Sequence, residues 1–462
     1  MTYDVAIVGS GFSSIALTIN LLEILPPSAS IAVIGDDPGF GRGTAYRTEF
    51  YLHRLNVPAA RMSVFADRPD DFVDWLRARG KPVFADDFAS RGDYGLYLRD
   101  TLASRLRPRE RRARLDFVRA KAVACDTCPE EGITFVLDTG TELHARNVVL
   151  ALGVGSAGLP ISPERIDRRA RRRIIDNPWR MGWFSRVKHD DEICIFGSGL
   201  TMIDQVLSLR ARGHRGQIRV LSRRGLVPHP HPIRRAAPVA TELPDGGEIS
   251  TILHALRREV KNGADWRGVV DGLRPKTQAL WQALSTHQRS RFLRHALAWW
   301  SIHRHRIAPD VFEQFNELLK DGTVKVEAGF LRSIRAADGA GLTIEYRARG
   351  EQRIVCLHAD WIVNCTGMER AGIGHSPLLK EMCDRRMIAM DELGLGISVD
   401  RKSRVLDPEG EPRPGFFAAG ALTAGQFWEI TAVPDIRVQA RDIAEAIADE
   451  VRLALPPAAR IA

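Results

Sequence analysis

The sequence predicts an α/β fold of two doubly wound units, the second inserted into the first and carrying a helical insertion. Three observations predict it. An apolar strand, a glycine-rich turn and a helix follow one another in DVAIVGSGFSSIALTINLL (Asp4–Leu22), and the same order returns in EICIFGSGLTMIDQVL (Glu192–Leu207). Two further hydrophobic strands, ARNVVLALGVG (Ala145–Gly155) and ADWIVNCTGMER (Ala359–Arg370), end in small-residue–glycine turns on either side of the second motif. They are expected to mark where the chain leaves and re-enters the first unit. The resulting division is 1–185 for the first part of that unit, 186–358 for the inserted unit and 359–462 for the return.

In the first motif VAIV is β-branched and suits a buried parallel strand, and SSIALTINLLEIL has helical apolar spacing. Gly9, Gly11 and Ser14 between them match G-x-G-x-x-[G/A/S]. Gly9 permits the tight turn, Gly11 lets a pyrophosphate approach the backbone, and small Ser14 lets the helix pack close. The N–H groups of the helix start face the phosphates. A strand before and a helix after turn this short pattern into a dinucleotide-binding signal. The next strand, SIAVIGDD, should end in an acid for the ribose hydroxyls; Gly35 stands there, so Asp36, one position on, is the candidate. The alternative is that Asp36 and Asp37 only start a surface turn.

Gly197, Gly199 and Met202 occupy the three positions of the second motif, and Met202 requires the helix to stand slightly off the strand. After the following strand, QIRVLSRRGLVPH, no ribose-reading acid appears; Arg223 and Arg224 stand in its place. Guanidinium binds a 2′-phosphate through charge-assisted hydrogen bonds, where a carboxylate would repel it. NADPH is therefore expected here rather than NADH.

Two dinucleotide turns in one chain point to two nucleotides held face to face. Nicotinamide carries hydride and flavin activates dioxygen, so FAD is expected in the first unit and NADPH in the second. Near the C-terminus, PGFFAAGALTAGQFWEITAVPDIRVQARDIAEAIADEV reads as strand, glycine turn and helix. Pro434 suits its first turn, and the positive helix end faces the flavin N1–O2 edge.

GRGTAY (Gly41–Tyr46), HRLNVPAARMS (His53–Ser63), FGSGLTMID (Phe196–Asp204), LSRRGLVP (Leu221–Pro228), RFLRHALAWWSIHRHRIAP (Arg291–Pro309) and WEITAVPDIRVQA (Trp428–Ala440) run from end to end. Through them the chain resembles the bacterial FAD-NAD(P)-binding family of two-dinucleotide flavoproteins. Gly35, and AAGAL without a following acid, depart from related patterns. The resemblance and the glycine turns together imply Arg42, Met62, Thr201, Gly367, Gly420 and Val433 as further cofactor-binding positions. LNVPAARMSVFAD is also similar to the T-N-x-P-K-x-x-M-x-F stretch of flavin-containing monooxygenases, whose asparagine lies over the flavin and helps hold the oxygen adduct and the nicotinamide. That role falls here on Asn56, whose neutral carboxamide both donates and accepts. The alternative for Asn56 is turn capping before Val57-Pro58.

The remaining features narrow the function. The 462 residues carry a formal net charge of +9, largely from arginine, and the dense runs Arg105–Arg114 and Arg165–Ile174 have no interleaved aromatics. They read as solvated surface, and no nucleic-acid partner is expected. Six cysteines form no disulfide framework, no basic-then-apolar segment precedes Asp4, and no apolar run spans a membrane; a cytoplasmic protein is expected. Cys125 and Cys128 form a C-x-x-C far from either turn and read as structural. His303 and His305 are two apart on a helix and cannot share a metal. His229 and His231 are open between a ligand contact and a surface loop. Thr241–Lys320 turns helical and rich in tryptophan, a cap over the active site or a homodimer surface.

No Ser-His-Asp, Cys-His or paired-carboxylate set appears. The expected reaction is thus NADPH-driven, flavin-borne oxygenation of an amine or other heteroatom of a small molecule by dioxygen, N-hydroxylation first. The alternatives are a reductase passing electrons elsewhere and a non-catalytic nucleotide-binding protein.

Overall fold

The computed structural model describes residues 2–454, apart from 38–39, 49, 108–109, 111, 129–131, 156, 235, 244–247 and 368–372. The first sheet opens with β1 (Thr2–Val8), β2 (Ser30–Ile34), β3 (Arg114–Val118), β4 (Ala122–Cys128), β5 (Gly132–Leu137) and β6 (Glu142–Leu150). A second sheet takes β7 (Ile174–Ile175), β8 (Ile193–Phe196), β9 (Ile218–Ser222), β10 (Val324–Ala336), β11 (Leu342–Ala348), β12 (Ile354–Ala359) and β13 (Trp361–Asn364). The chain then returns to the first sheet with β14 (Arg404–Leu406) and β15 (Pro412–Ala418). The orders are β14-β15-β6-β1-β2-β3, with the β4–β5 hairpin on β6, and β12-β11-β10-β9-β8-β13-β7.

β1 runs parallel to both β2 and β6, and β8 parallel to both β9 and β13. Each central strand is buried on both faces, which is why VAIV and ICIF are continuous apolar runs without alternation. Ligands of such sheets bind beyond the carboxyl ends of the strands. Here those ends are Val8 and Leu150 in one sheet, Phe196 and Asn364 in the other.

The domain division needs one correction. Trp361–Asn364 is hydrogen-bonded between β8 and β7, so ADWIVN belongs to the inserted unit rather than to the return, and Ile174–Ile175 already lies in that unit. A strand buried on both faces has the same apolar pattern in either sheet, so its pattern does not say which one it joins.

α1 (Phe12–Ile24), α2 (Gly43–Tyr46), α3 (Asp71–Ala78) and α4 (Arg91–Leu106) belong to the first unit, and α5 (Leu200–Ala211) follows the second glycine turn. α6 (Ile249–Lys261), α7 (Trp266–Leu273), α8 (Thr277–Ala283), α9 (Thr286–His295), α10 (Leu297–Arg304) and α11 (Pro309–Lys320) form the helical insertion between β9 and β10. α12 (Pro377–Asp384) and the long α13 (Val433–Ala454) complete the first unit. α1 is buried on almost every face by the sheet, α4 and α13, and its interior polar groups turn inward: Thr18 Oγ1 donates to Ser14 O and Asn20 Nδ2 to Ala16 O.

The insertion docks on the segment that leads into α13. The Trp281 and Trp428 rings stack at 4.4 Å, and Trp281 Nε1–H donates to Gly425 O at 2.8 Å. A buried indole removes about 150–250 Å² from water, an upper bound of about 4–6 kcal/mol. Of the four insertion tryptophans singled out in the sequence, Trp281 is buried and Trp266 and Trp300 half-buried; Trp299 is exposed.

Candidate active site

The two glycine turns are built alike. Gly9 has φ 129°, and a Cβ there would lie 2.2 Å from Ala151 O; Gly197 has φ 98°, and its Cβ would lie 2.2 Å from Cys365 O. The first glycine of each turn thus lets the neighbouring parallel strand's exit pass at backbone distance. Gly11 and Gly199 differ: a Cβ on either meets nothing within 4 Å. Both are extended N-caps, of α1 and α5, and neither helix has a side-chain cap, so the first-turn N–H groups are left for a ligand. The open side and free donors fit a pyrophosphate at both turns. Ser14 is fully buried under the first turn; so is Met202 under the second, where it packs with Val311 and Phe315 of α11. Thr201 is half-buried in the first turn of α5.

Two more glycine turns close on the start of α1. A Cβ on Gly43 would approach Gly11 Cα at 3.4 Å, and one on Gly420 would strike Ser13 Oγ at 2.3 Å. Gly420 N–H donates to Gln439 Oε1 of α13 at 2.8 Å, which ties this turn to that helix. Arg42, between Gly41 and Gly43, has no ion pair or side-chain hydrogen bond among the described residues. A free guanidinium beside an uncapped helix start suits a phosphate-bearing ligand. Val433 is the buried first residue of α13. Gly367, after β13, has φ 101° and an open Cβ direction; its carbonyl accepts from Ala157 N–H at 3.0 Å, joining the exits of the two sheets.

Asp36 and Met62 differ in exposure. A Cβ on Gly35 would meet Ser10 Cβ at 2.7 Å, so no acid can stand at that strand end without moving the first turn. Asp36 is exposed and ion-paired with Lys121 Nζ at 3.2 Å. Met62 is buried in the first unit's core. Of the Asp36–Gly39 turn, 38 and 39 lie outside the described residues.

Between the 54–93 segment of the first unit and the helical insertion opens a cleft of about 650 Å³, bounded by Asn56, Phe88, His231, Arg274, Arg304 and Arg306 among others. Asn56 O accepts from His231 Nε2–H at 3.0 Å, while its carboxamide makes no hydrogen bond among the described residues. It caps no turn and is left for a ligand. Burial pushes His231 down to about 4, so it stays neutral, with its proton on Nε2. A second cavity, about 950 Å³, reaches the first turn of α13 at Pro434 and Asp435, and shares Arg61, Asp271 and Arg274 with the first. Asn56 lines the first cavity and the α13 terminus the second, with Arg61, Asp271 and Arg274 common to both walls.

Glu429, just before α13, sits at φ 64° with a buried carboxylate. It accepts from Trp300 Nε1–H at 2.6 Å and from Arg304 Nε–H at 2.9 Å, both on α10. The insertion therefore grips the residue that leads into α13.

The units are joined by groups that sequence spacing does not connect. Arg91 of α4, half-buried, pairs with buried Asp204 of α5 at 2.8 Å. Burial pushes Asp204 up to about 6, against the opposing pull of Arg91. His53 Nε2–H donates to Ser208 Oγ at 2.8 Å, Ser208 in turn donating to Asp204 O, and Thr48 Oγ1 donates to His53 Nδ1 at 2.8 Å. Burial, with help from Arg91, holds His53 down to about 4. His53 and Asp204 each lie within a quoted motif, yet only the folded chain makes them neighbours.

Arg223 and Arg224 follow β9, and neither has an ion pair among the described residues. Cys125 is a free, buried thiol on β4, pushed up to about 12 by burial, and the Cys128 side chain lies outside the described residues. His303 packs with His229 and Trp266, and no metal-binding group of His, Cys, Asp or Glu occurs among the described residues. No helix among them is long and apolar enough to cross a membrane.

Comparison with known proteins agrees with this geometry. Residues 6–155 match the model of the FAD-NAD(P)-binding family. No curated protein sequence matches. Among solved structures, the Kutzneria sp. 744 ornithine N-hydroxylase, recorded with reduced FAD, NADP+ and L-ornithine, superposes with TM-score 0.69 at 13% identity, covering 98% of this chain and 100% of that one. The Erwinia amylovora cadaverine monooxygenase bound to FAD follows at TM-score 0.65 and 15% identity, over 97% and 94% of the chains. A Bacillus cereus bacillithiol disulfide reductase reaches TM-score 0.56 at 13% identity, over 97% and 100%. The chain thus has the two-unit flavoprotein fold over nearly its whole length and the FAD-NAD(P)-binding family pattern over residues 6–155.

Proposed function

We propose that this chain is an FAD- and NADPH-dependent monooxygenase that hydroxylates an amine or other heteroatom of a small molecule with dioxygen. The observation that carries the reading is the unpartnered Asn56 carboxamide in a cleft between the first unit and the helical insertion. The fold likeness is higher to the two N-hydroxylating enzymes than to the disulfide reductase. The buried C-x-x-C cysteine on β4 offers no dithiol chemistry at the cleft.

Gly11, the α1 terminus and Arg42 would hold the FAD pyrophosphate; Gly199, the α5 terminus, Arg223 and Arg224 would hold NADPH. Bound flavin supplies hydride acceptance and dioxygen activation. The chain's own task is positioning. Asn56 donates and accepts without adding charge, and the backbone of Asn56 is fixed by neutral His231. The insertion, clamped through Trp281 and Glu429, forms one wall of the cleft. The α13 terminus favours negative charge in the adjoining cavity.

Rapid mixing of the NADPH-reduced, FAD-loaded protein with dioxygen tests the reading. A transient absorbance distinct from both oxidised and reduced flavin, shortened in Asn56→Ala, is expected. Direct return of the wild type to oxidised flavin would replace the monooxygenase with an NADPH-dependent reductase.

A further inference from the structure

One cation at the ribose end of the second cradle comes from a segment that no nucleotide motif includes. β11 and β12 are antiparallel neighbours, and Arg349 stands in the turn between them. Its backbone N–H donates to Ala328 O of β10 at 3.0 Å, and its Nη1 donates to Arg223 O at 3.1 Å. β10 itself lies beside β9, whose end carries Arg223. The hairpin turn is therefore fastened at two points to the place where a doubly wound unit reads the adenosine ribose.

The charges around this point are uneven. Arg219, Arg335 and Arg353, on the same sheet or beside it, pair with Glu327, Glu345 and Glu351. Arg223, Arg224 and Arg349 pair with no carboxylate among the described residues. One of the five guanidinium donors of Arg349 is spent on the carbonyl of Arg223; the others face solvent. Like charges gathered without a counter-ion repel one another, and a dianionic phosphate relieves that repulsion with short charge-assisted hydrogen bonds.

We propose that Arg349 binds the 2′-phosphate of the nicotinamide nucleotide together with Arg223 and Arg224. Selection of NADPH over NADH then rests partly on a hairpin of the second sheet rather than on the β9 end alone. The proposal rests on reading the second cradle as the NADPH site.

Calorimetric titration of the FAD-loaded full chain with NADP+ and with NAD+ tests it, in wild type, Arg349→Ala, Arg349→Gln and Arg349→Lys. Loss of one charge-assisted contact should weaken NADP+ about tenfold in both the Ala and Gln variants and leave NAD+ nearly unchanged. Arg349→Lys should recover part of the loss, and the salt dependence of NADP+ binding should flatten in Arg349→Gln. Equal weakening of both nucleotides would make Arg349 a backbone fastener and overturn the proposal. A wild type that prefers NADP+ with Arg349→Ala unaltered would overturn it alone. A wild type that binds the two nucleotides alike would overturn it together with the NADPH reading.

Discussion

At the scale of single residues, a methyl group separates the two glycines of each turn. An alanine at Gly197 would combine φ 98° with a Cβ 2.2 Å from Cys365 O, whereas one at Gly199 meets nothing within 4 Å. Gly197→Ala should therefore lower stability by at least about 1–2 kcal/mol, the ordinary cost of a left-handed L-residue, and should show in the melting temperature. Gly199→Ala should melt like the wild type and lose NADP+ affinity in calorimetry. Equal melting of the two variants would contradict this division of labour. Asn56→Ala should keep its FAD and its rate of reduction by NADPH. More of the consumed NADPH should then appear as hydrogen peroxide in a peroxidase-coupled assay, and an unchanged peroxide yield would remove Asn56 from the site. The two glycine turns were legible because their backbone geometry is a local demand, set within one motif. Asp36 was not, because Ser10 reserves the space at Gly35 and no spacing rule reports that.

At the scale of elements, α4 and α5 hold the two units together through the Arg91–Asp204 pair and the neutral His53. Arg91→Ala leaves a buried carboxylate alone and should destabilise by about 3–5 kcal/mol in urea unfolding. The pH dependence follows from the same groups. His53 and His231 are held down to about 4 from 6.5, so the unfolded chain takes up their protons first. Their stabilisation is complete above pH 6.5 and lost as pH falls toward 4. Asp204, raised from 3.8 to about 6, acts oppositely: its contribution is present below pH 3.8 and lost as pH rises through 6. Two histidines against one carboxylate should give lower stability at pH 5 than at pH 7. His53→Gln should flatten that slope, measured as the urea midpoint at both values; an unchanged slope would exclude His53. The sequence showed α5 through the strand–turn–helix order of the second motif. It could not show this seam, because a buried ion pair between segments far apart has no periodicity.

At the scale of the molecule, the architecture is one unit made twice, with strand, paired glycines, uncapped helix and a returning parallel strand in each copy. That repetition made the two-unit fold readable from sequence, since both copies impose the same local demands. The boundary was less readable, because Trp361–Asn364 is apolar enough for either sheet. The insertion was readable as helices, but its docking on Trp428 and Glu429 depends on ring stacking and a carboxylate grip that only the folded chain assembles. On the proposed function, the repeat holds a flavin in one unit and a reduced nicotinamide in the other. The most direct measurement is an anaerobic titration of the FAD-loaded protein with NADPH, followed by flavin absorbance. Full bleaching near one equivalent, slower or weaker with NADH, is the expected result. A flavin that stays oxidised under excess NADPH, or a chain that retains no FAD, would contradict the account.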